Sequence, residues 1–274
     1  MTRAQPPRLL LALNSAPLAL FLAVLAGFGL AAPGFLTATN LLNILVQASS
    51  TAVVATGMTF VLLTAGVDLS IGAVMFLAAA LAGKLLLGAG WPVLAVLGVM
   101  LAAGAAAGLV NALLVTRLGI IAFIATLGTQ YAGRGLGLWI TETRAMNLPD
   151  AFTRLASARL LGVPLPVVVF AVVVASAQFV LHRTAFGRQL YAVGQDAAAA
   201  RKAGVNVRAI LTAAYVICGG CAALGGAISL AQIGAVAPTF GMNKEFAAIA
   251  AAVLGGTSLF GGRGSVLPGT VLGA

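Results

Sequence analysis

The chain has 274 residues, 61% of them hydrophobic and only 7% charged, with a mean hydropathy of +1.11. A soluble domain carries roughly 25% charged residues, so 15 Lys and Arg with 5 Asp and Glu cannot cover a surface of this size, and a water-soluble fold is excluded. The net charge of +10 does not indicate a nucleic-acid partner, because the basic residues sit at the ends of apolar runs and no aromatic stacking platform is interleaved with them.

Each membrane crossing needs about 20 apolar residues, and the punctuation of this chain predicts about nine spans in an all-α, polytopic membrane helix bundle. Arg3 and Arg8 precede a first run over residues 16–32. That pattern has the look of a signal peptide, but the run is long enough to cross and more spans follow, so an uncleaved first span is expected. Residues 35–43, with Thr37, Thr39, Asn40 and Asn43, lead into span two at 45–65. Spans three, four and five follow at 69–87, 91–115 and 118–140. A polar segment at about 141–162 holds Glu142, Arg144, Asp150, Arg154 and Arg159. Span six covers 163–181, and the longest charged loop covers about 182–208. Span seven covers 209–233, span eight 246–260, and a ninth begins at Val266.

The charges orient these runs. A cytoplasmic N-terminus, set by Arg3 and Arg8, places Arg117, the 182–208 loop and Arg263 inside by alternation. Arg183, Arg188, Arg201, Lys202 and Arg208 then collect on the cytoplasmic side, as the positive-inside rule requires. The mixed-charge segment 141–162 falls outside. The whole chain reads as a single transmembrane domain, 1–274.

Groups for catalysis are missing. His182 borders the membrane beside Arg183 and reads as an interfacial residue; paired carboxylates and a Ser/His/Asp set are absent. Cys218 and Cys221 form a C-x-x-C inside an apolar run, too few ligands for a metal, and read as two small packing residues on successive helical turns. Gly256 and Gly261 have the first spacing of a phosphate loop, but Gly262 and Arg263 follow instead of Lys and Ser/Thr. No catalytic residue, no metal and no cofactor is expected. Gly104-x-x-x-Gly108 and Gly133-x-x-x-Gly137 mark close helix approach.

Asp68 is the most expensive residue. A carboxylate between two apolar runs is rare unless it faces a bundle interior or a cavity. With Gly66, Ser70 and Gly72 around it, the segment reads either as a cap or hinge at the start of span three or as a direct solute contact. Gln47, Asn111, Thr126, Thr129 and Gln130 are the other intramembrane polar groups. Together with Asp68 and Ser70 they either line a translocation pathway or bond neighbouring helices.

In the 182–208 loop, Asp196 is placed to cap a short helix, Ala197 to Ala203 are strong helix formers, and Gly204 is placed to end it. Small side chains on such a helix permit close docking into a partner's groove.

Three segments carry a resemblance across essentially the whole length. They are Leu63-Thr-Ala-Gly-Val-Asp-Leu-Ser-Ile-Gly72, then Gly187-Arg-Gln-Leu-Tyr-Ala-Val-Gly194 followed by Ala198-Ala-Ala-Arg-Lys-Ala-Gly204, and Ala251-Ala-Val-Leu-Gly-Gly-Thr-Ser-Leu-Phe-Gly-Gly-Arg-Gly-Ser265 continuing to Gly269-Thr-Val-Leu-Gly-Ala274. In this order they resemble the permease subunits of ribose-type ABC sugar importers. Gln195-Asp196 stands where that family usually has Gly-Asn.

The resemblance implies transport of a monosaccharide, ribose-like or related, in a bacterial cytoplasmic (inner) membrane. It implies a second permease subunit in a homodimer, ABC ATPase subunits that hydrolyse ATP in separate chains, and an extracytoplasmic sugar-binding protein. The 182–208 loop becomes the coupling loop, with Gly187, Arg188, Ala192, Gly194, Asp196, Ala199, Ala200 and Gly204 as ATPase-coupling residues; bulky replacement of Gly194 or Ala200 is expected to uncouple transport. The family has roughly ten spans, so the chain is expected to stop short of its relatives' C-terminus. A secondary transporter or facilitator for a small polar solute is the alternative, but an ion-coupled carrier would show several intramembrane ionisable residues where this reading finds Asp68.

Overall fold

The computed structural model of the chain describes residues 8–274, with side chains from residue 18 onward. Arg3 and the Arg8 side chain, on which the N-terminal side assignment rests, lie outside the described residues. The architecture is an all-α bundle with four two-residue strands. In chain order, α1 covers Arg8–Ala31, α2 Ala38–Leu63, α3 Ile71–Gly88, α4 Val93–Thr116 and α5 Ala122–Thr141. Next come β1 (Met146–Asn147), α6 (Asp150–Ser157), β2 (Arg159–Leu160), β3 (Val163–Pro164), α7 (Leu165–Arg183), α8 (Ala185–Gln195) and α9 (Ala197–Lys202). The chain continues through α10 (Val207–Ile233), β4 (Ala235–Val236), α11 (Lys244–Leu254), an irregular turn Val266–Thr270 and α12 (Val271–Gly273).

Among the described residues, five helices are long and apolar enough to cross a membrane: α2, α3, α4, α7 and α10. α5 has 20 residues and carries Gln130 and Arg134 within it. Where one run was expected over 246–260, α11 stops at Leu254, because Gly255 and Gly256 turn the chain and Gly256 adopts φ +91°.

Glycine sets the helix spacing. A Cβ on Gly104 would strike the Gly219 carbonyl oxygen, one on Gly108 the Tyr215 carbonyl oxygen, and one on Gly219 the Gly104 carbonyl oxygen, so α4 and α10 meet backbone to backbone. On the far side of α10, Gly57 of α2 lies against Cys218 and Cys221, and the Ser50 hydroxyl donates to the Gly225 carbonyl at 2.8 Å. The cysteines are free packing residues at a helix crossing, as their position predicts. Among the described residues no cluster of metal-ligating side chains occurs.

The helix ends form two groups. At one, β1 pairs antiparallel with β4, Met146 opposite Val236, and Lys84 meets Glu142 at 3.2 Å. The segment expected as a polar loop here contains α6, anchored by the fully buried Phe152. It also contains the β2–β3 hairpin, which turns at Leu161 and Gly162 with φ +51° and +85°, the two positive values that a tight hairpin turn requires. The opposite group gathers the end of α2, all of α8 and the loop after α11.

Candidate functional site

The three sequence segments, far apart in the chain, meet at that second end. α2 finishes at Leu63, whose carbonyl oxygen accepts from the Gly262 amide at 2.9 Å. Gly194, near the end of α8, lies against the same carbonyl. A Cβ there would collide with the Leu63 oxygen and come within 2.6 Å of the Gly262 nitrogen. Gly261 closes the junction from the other side, where a Cβ would stand 2.7 Å from the Gly194 carbonyl oxygen and 2.8 Å from the Ala65 nitrogen. Gly261 and Gly262 have φ of +83° and +68°, a left-handed backbone that side chains other than glycine resist. The Tyr191 hydroxyl donates to the Gly264 carbonyl at 2.8 Å, and burial pushes its phenol above the ordinary range. Phe60 of α2 stacks on Phe186 of α8 with ring centroids 6.4 Å apart.

The residues expected to couple divide by orientation. Thr184 caps α8, its hydroxyl accepting from the Gly187 amide at 3.2 Å. Gly187 is buried in the elbow between α7 and α8, where a Cβ would strike the Val180 and Leu181 carbonyls. Asp196 caps α9 as its position predicts, accepting from the amides of Ala198 at 2.8 Å and Ala199 at 3.0 Å. Gly204 follows α9 with φ +85°. Arg188, Ala192, Asp196, Ala199 and Gly204 are exposed, whereas Gly194 and Ala200 are buried within the chain's own fold. Ala200 therefore packs inward, and the face open to a partner is formed by Ala197, Ala198, Ala199, Arg201 and Lys202.

Beyond Leu63, the chain enters a non-helical turn that reaches Asp68, which is 1% exposed. Its Oδ1 accepts from the Ser70 amide at 2.9 Å, the Ser70 hydroxyl at 2.6 Å and Asn111 Nδ2 at 3.2 Å. Asn111 Nδ2 also donates to the Ser70 hydroxyl at 2.8 Å, and Asn111 Oδ1 accepts from the Thr129 hydroxyl at 2.6 Å. The Thr126 and Tyr215 hydroxyls both approach the Val67 carbonyl at 3.4 Å. Asp68 does not cap α3 itself, since it bonds to Ser70 just before the helix and α3 has no side-chain cap. The cluster braces the turn to α4 and α5, and its members satisfy one another, which is what irregular backbone inside a bundle requires.

Five of the seven expected pathway residues thus form one group: Asp68, Ser70, Asn111, Thr126 and Thr129. Ser70 and Thr129 also line a largely apolar cleft of about 340 Å³ between α3, α4 and α5. Gln47 stands apart, exposed on α2. Gln130 turns to a second polar group that the sequence reading missed. Its Nε2 donates to Glu245 Oε1 at 3.3 Å, and Arg134, one turn along α5, donates to the carbonyls of Pro238 at 3.1 Å and Phe240 at 3.3 Å. The Arg134 guanidinium also lies 5.3 Å from the Phe76 ring centroid. The signal was a charge flanked by Gly133 and Gly135, one turn beyond Gln130 inside an expected span.

Comparison with known proteins shows the family. Residues 40–274 match the family described as branched-chain amino acid transport system / permease component. The chain is 41% identical over 247 residues to the ribose import permease protein RbsC of Escherichia coli K12, covering 88% of this chain and 76% of that one. It is 37% identical to the D-allose transport system permease protein AlsC of the same organism, covering 89% and 75%. It is 36% identical to the fructose import permease protein FrcC of Rhizobium meliloti, covering 96% and 76%. No solved structure matches.

Proposed function

We propose, from the premise that this chain belongs to the branched-chain amino acid transport system / permease component family, that it is the permease subunit of an ATP-binding-cassette importer for a monosaccharide. It is an integral, multi-pass membrane protein and a transport subunit, which works with an ATPase and a binding protein. The cargo assignment draws on relatives whose names specify ribose, allose and fructose.

The observation that carries the mechanism is the junction of Leu63, Gly194 and Gly262. An importer driven from outside the bundle needs a rigid contact through which a push reaches the spans. α8 has no side chain between it and the end of α2 at Gly194, so a displacement of α8 carries the Leu63 carbonyl and the Gly262 loop with it. Five residues further on, Asp68 ties the same turn to α4 and α5. In this reading the exposed face of α9 meets the ATPase, Gly187 and Gly194 transmit its motion, and Asp68, Ser70, Asn111, Thr126 and Thr129 brace the moving turn.

The same reading puts the 182–208 loop in the cytoplasm, the 141–162 segment outside, and the N-terminus inside. It counts about nine spans, with α1, α5, α11 and the segment beginning at Val266 joining the five longer helices, in a bacterial inner membrane. A homodimer supplies the second half of the pore. The grouping of Lys84, Glu142, Met146 and Val236 at the end away from α8 supports this alternation.

The test is uptake by proteoliposomes containing the chain with its ATPase and binding protein. ATP-dependent accumulation of labelled D-ribose, D-allose or D-fructose is the expected result. Uptake that needs no ATP and follows an ion gradient would assign the chain to secondary transport instead.

A further inference from the structure

The second polar group, which pairs Arg134 and Glu245 by charge, leaves one carboxylate oxygen without a donor among the described residues. Between β4 and α11 the chain runs without helix along α3: Val236 lies against Gly83 and Gly241 against Gly72, positions roughly 16 Å apart on a helix axis. Non-helical backbone inside a membrane protein must have its polar groups satisfied by protein. Arg134 does this for the Pro238 and Phe240 carbonyls. α11 then begins inside the bundle, with Glu245 in its first turn at 2% exposure. Glu245 Oε1 accepts from Gln130, but Oε2 has no hydrogen-bond partner among the described residues. The first-turn amides of a helix lack intrahelical acceptors; here the Lys244 amide donates to the Gly241 carbonyl at 3.3 Å, and no acceptor is found among the described residues for those of Glu245 and Phe246, which the Asn243 side chain does not cap.

Arg134 in the same group supplies the opposite charge to Glu245, but a buried carboxylate oxygen without a donor is still destabilising. A donor that arrives during the working cycle would offset that cost. The cargo of this importer is a polyol, and a hydroxyl both donates and accepts. Glu245 Oε2 offers the acceptor, and the uncapped amides of α11 offer donors beside it. Met242, Asn243 and Phe246, which flank Glu245, are exposed, so the carboxylate lies one layer beneath the surface of the chain. In secondary transporters, broken helices present such termini to the cargo, and the same chemistry is open to this bundle.

We propose that Glu245 is a solute-contacting residue of the translocation pathway, accepting a hydrogen bond from a sugar hydroxyl, with Gln130 orienting it and Arg134 holding the broken backbone that shapes the site. This rests on the sugar-importer reading above.

The experiment is a cycle between permease variant and sugar. Wild type and Glu245→Gln are reconstituted with the ATPase and binding protein. Initial uptake rates are measured at saturating loaded binding protein for D-ribose, D-allose or D-fructose, whichever wild type carries, and for its single-deoxy analogues. Preferences of the binding protein cancel in the ratio between variants. Glu245→Gln should slow uptake about tenfold, the loss of one charge-assisted hydrogen bond, and one deoxy position that slows wild type should no longer matter in the variant. Wild-type uptake with a Glu245→Gln effect that is nil, or equal for every sugar, overturns the site and leaves the importer reading intact. No uptake of any of the three sugars by wild type removes the importer reading, and the site with it. Glu245→Asp, which keeps the charge, serves for the same cycle if the Gln variant does not assemble. Failure of both to assemble assigns the carboxylate to folding and overturns the proposal.

Discussion

Gly194 lies against the carbonyl oxygen of Leu63 with no room for a side chain between them. The contact joins α8 to the last residue of α2, and the same oxygen already accepts from the Gly262 amide. Gly194→Ala must push these backbones apart, and neither can yield by changing a rotamer. Overpacking of this kind costs about 1–3 kcal/mol, concentrated at the point where motion passes from α8 to the spans. ATP-dependent uptake in proteoliposomes should fall about tenfold or more. Uptake at the wild-type rate would show that α8 does not drive α2.

Ala199 and Ala200 are neighbours with opposite outlooks, the first exposed and the second 5% exposed. Ala200→Trp should therefore lower the stability of the permease itself, by about 1–3 kcal/mol, seen as a lower Tm of the purified chain in detergent. Ala199→Trp should leave that Tm unchanged and reduce the ATPase chain that co-purifies. Equal effects of the two variants on both readouts would mean that α9 does not present the face described here.

Local signals made part of this legible in the sequence. Asp196 caps α9 and Gly204 follows it with positive φ because both roles depend on a few neighbouring atoms, which residue type encodes directly. The apolar runs of α2, α3, α4, α7 and α10 were legible for the same reason. The junction was not, because Leu63, Gly194 and Gly262 are brought together only by tertiary packing, although each segment stood out by its glycines. Arg134 and Glu245 were hidden differently. Glu245 reads as a loop residue beside Lys244 until α11 is seen to start inside the bundle. Arg134 is explained by the carbonyls of Pro238 and Phe240 and by Glu245, all more than a hundred residues away. α6 escaped notice because one buried side chain, Phe152, anchors it rather than a sustained apolar stripe.

Asn111 uses both ends of its amide, donating to Asp68 and Ser70 and accepting from Thr129. Asn111→Leu would remove all three bonds and leave the buried Asp68 with Ser70 alone among these donors. A buried carboxyl that loses a hydrogen-bond donor costs about 1–3 kcal/mol. Thr129→Val removes one bond from the edge of the group and should cost about 1 kcal/mol. The Tm of the detergent-purified chain should therefore fall further for Asn111→Leu than for Thr129→Val. The reverse order would show that the cluster does not brace the turn.

Sidedness can be read with a membrane-impermeant thiol reagent. Cys218 is buried and Cys221 lies largely inside the crossing with α2, so the native chain should label poorly in intact cells. A single cysteine replacing Arg159, on the exposed β2–β3 hairpin, should label from outside. One replacing Arg201, on the exposed face of α9, should label only after the membrane is opened. Both sites are exposed in the fold, so a difference between them reports the bilayer and not local packing. The opposite pattern would invert the bundle and place α9 where no ATPase could reach it, and the contact of Gly194 with Leu63 would then need a different driver.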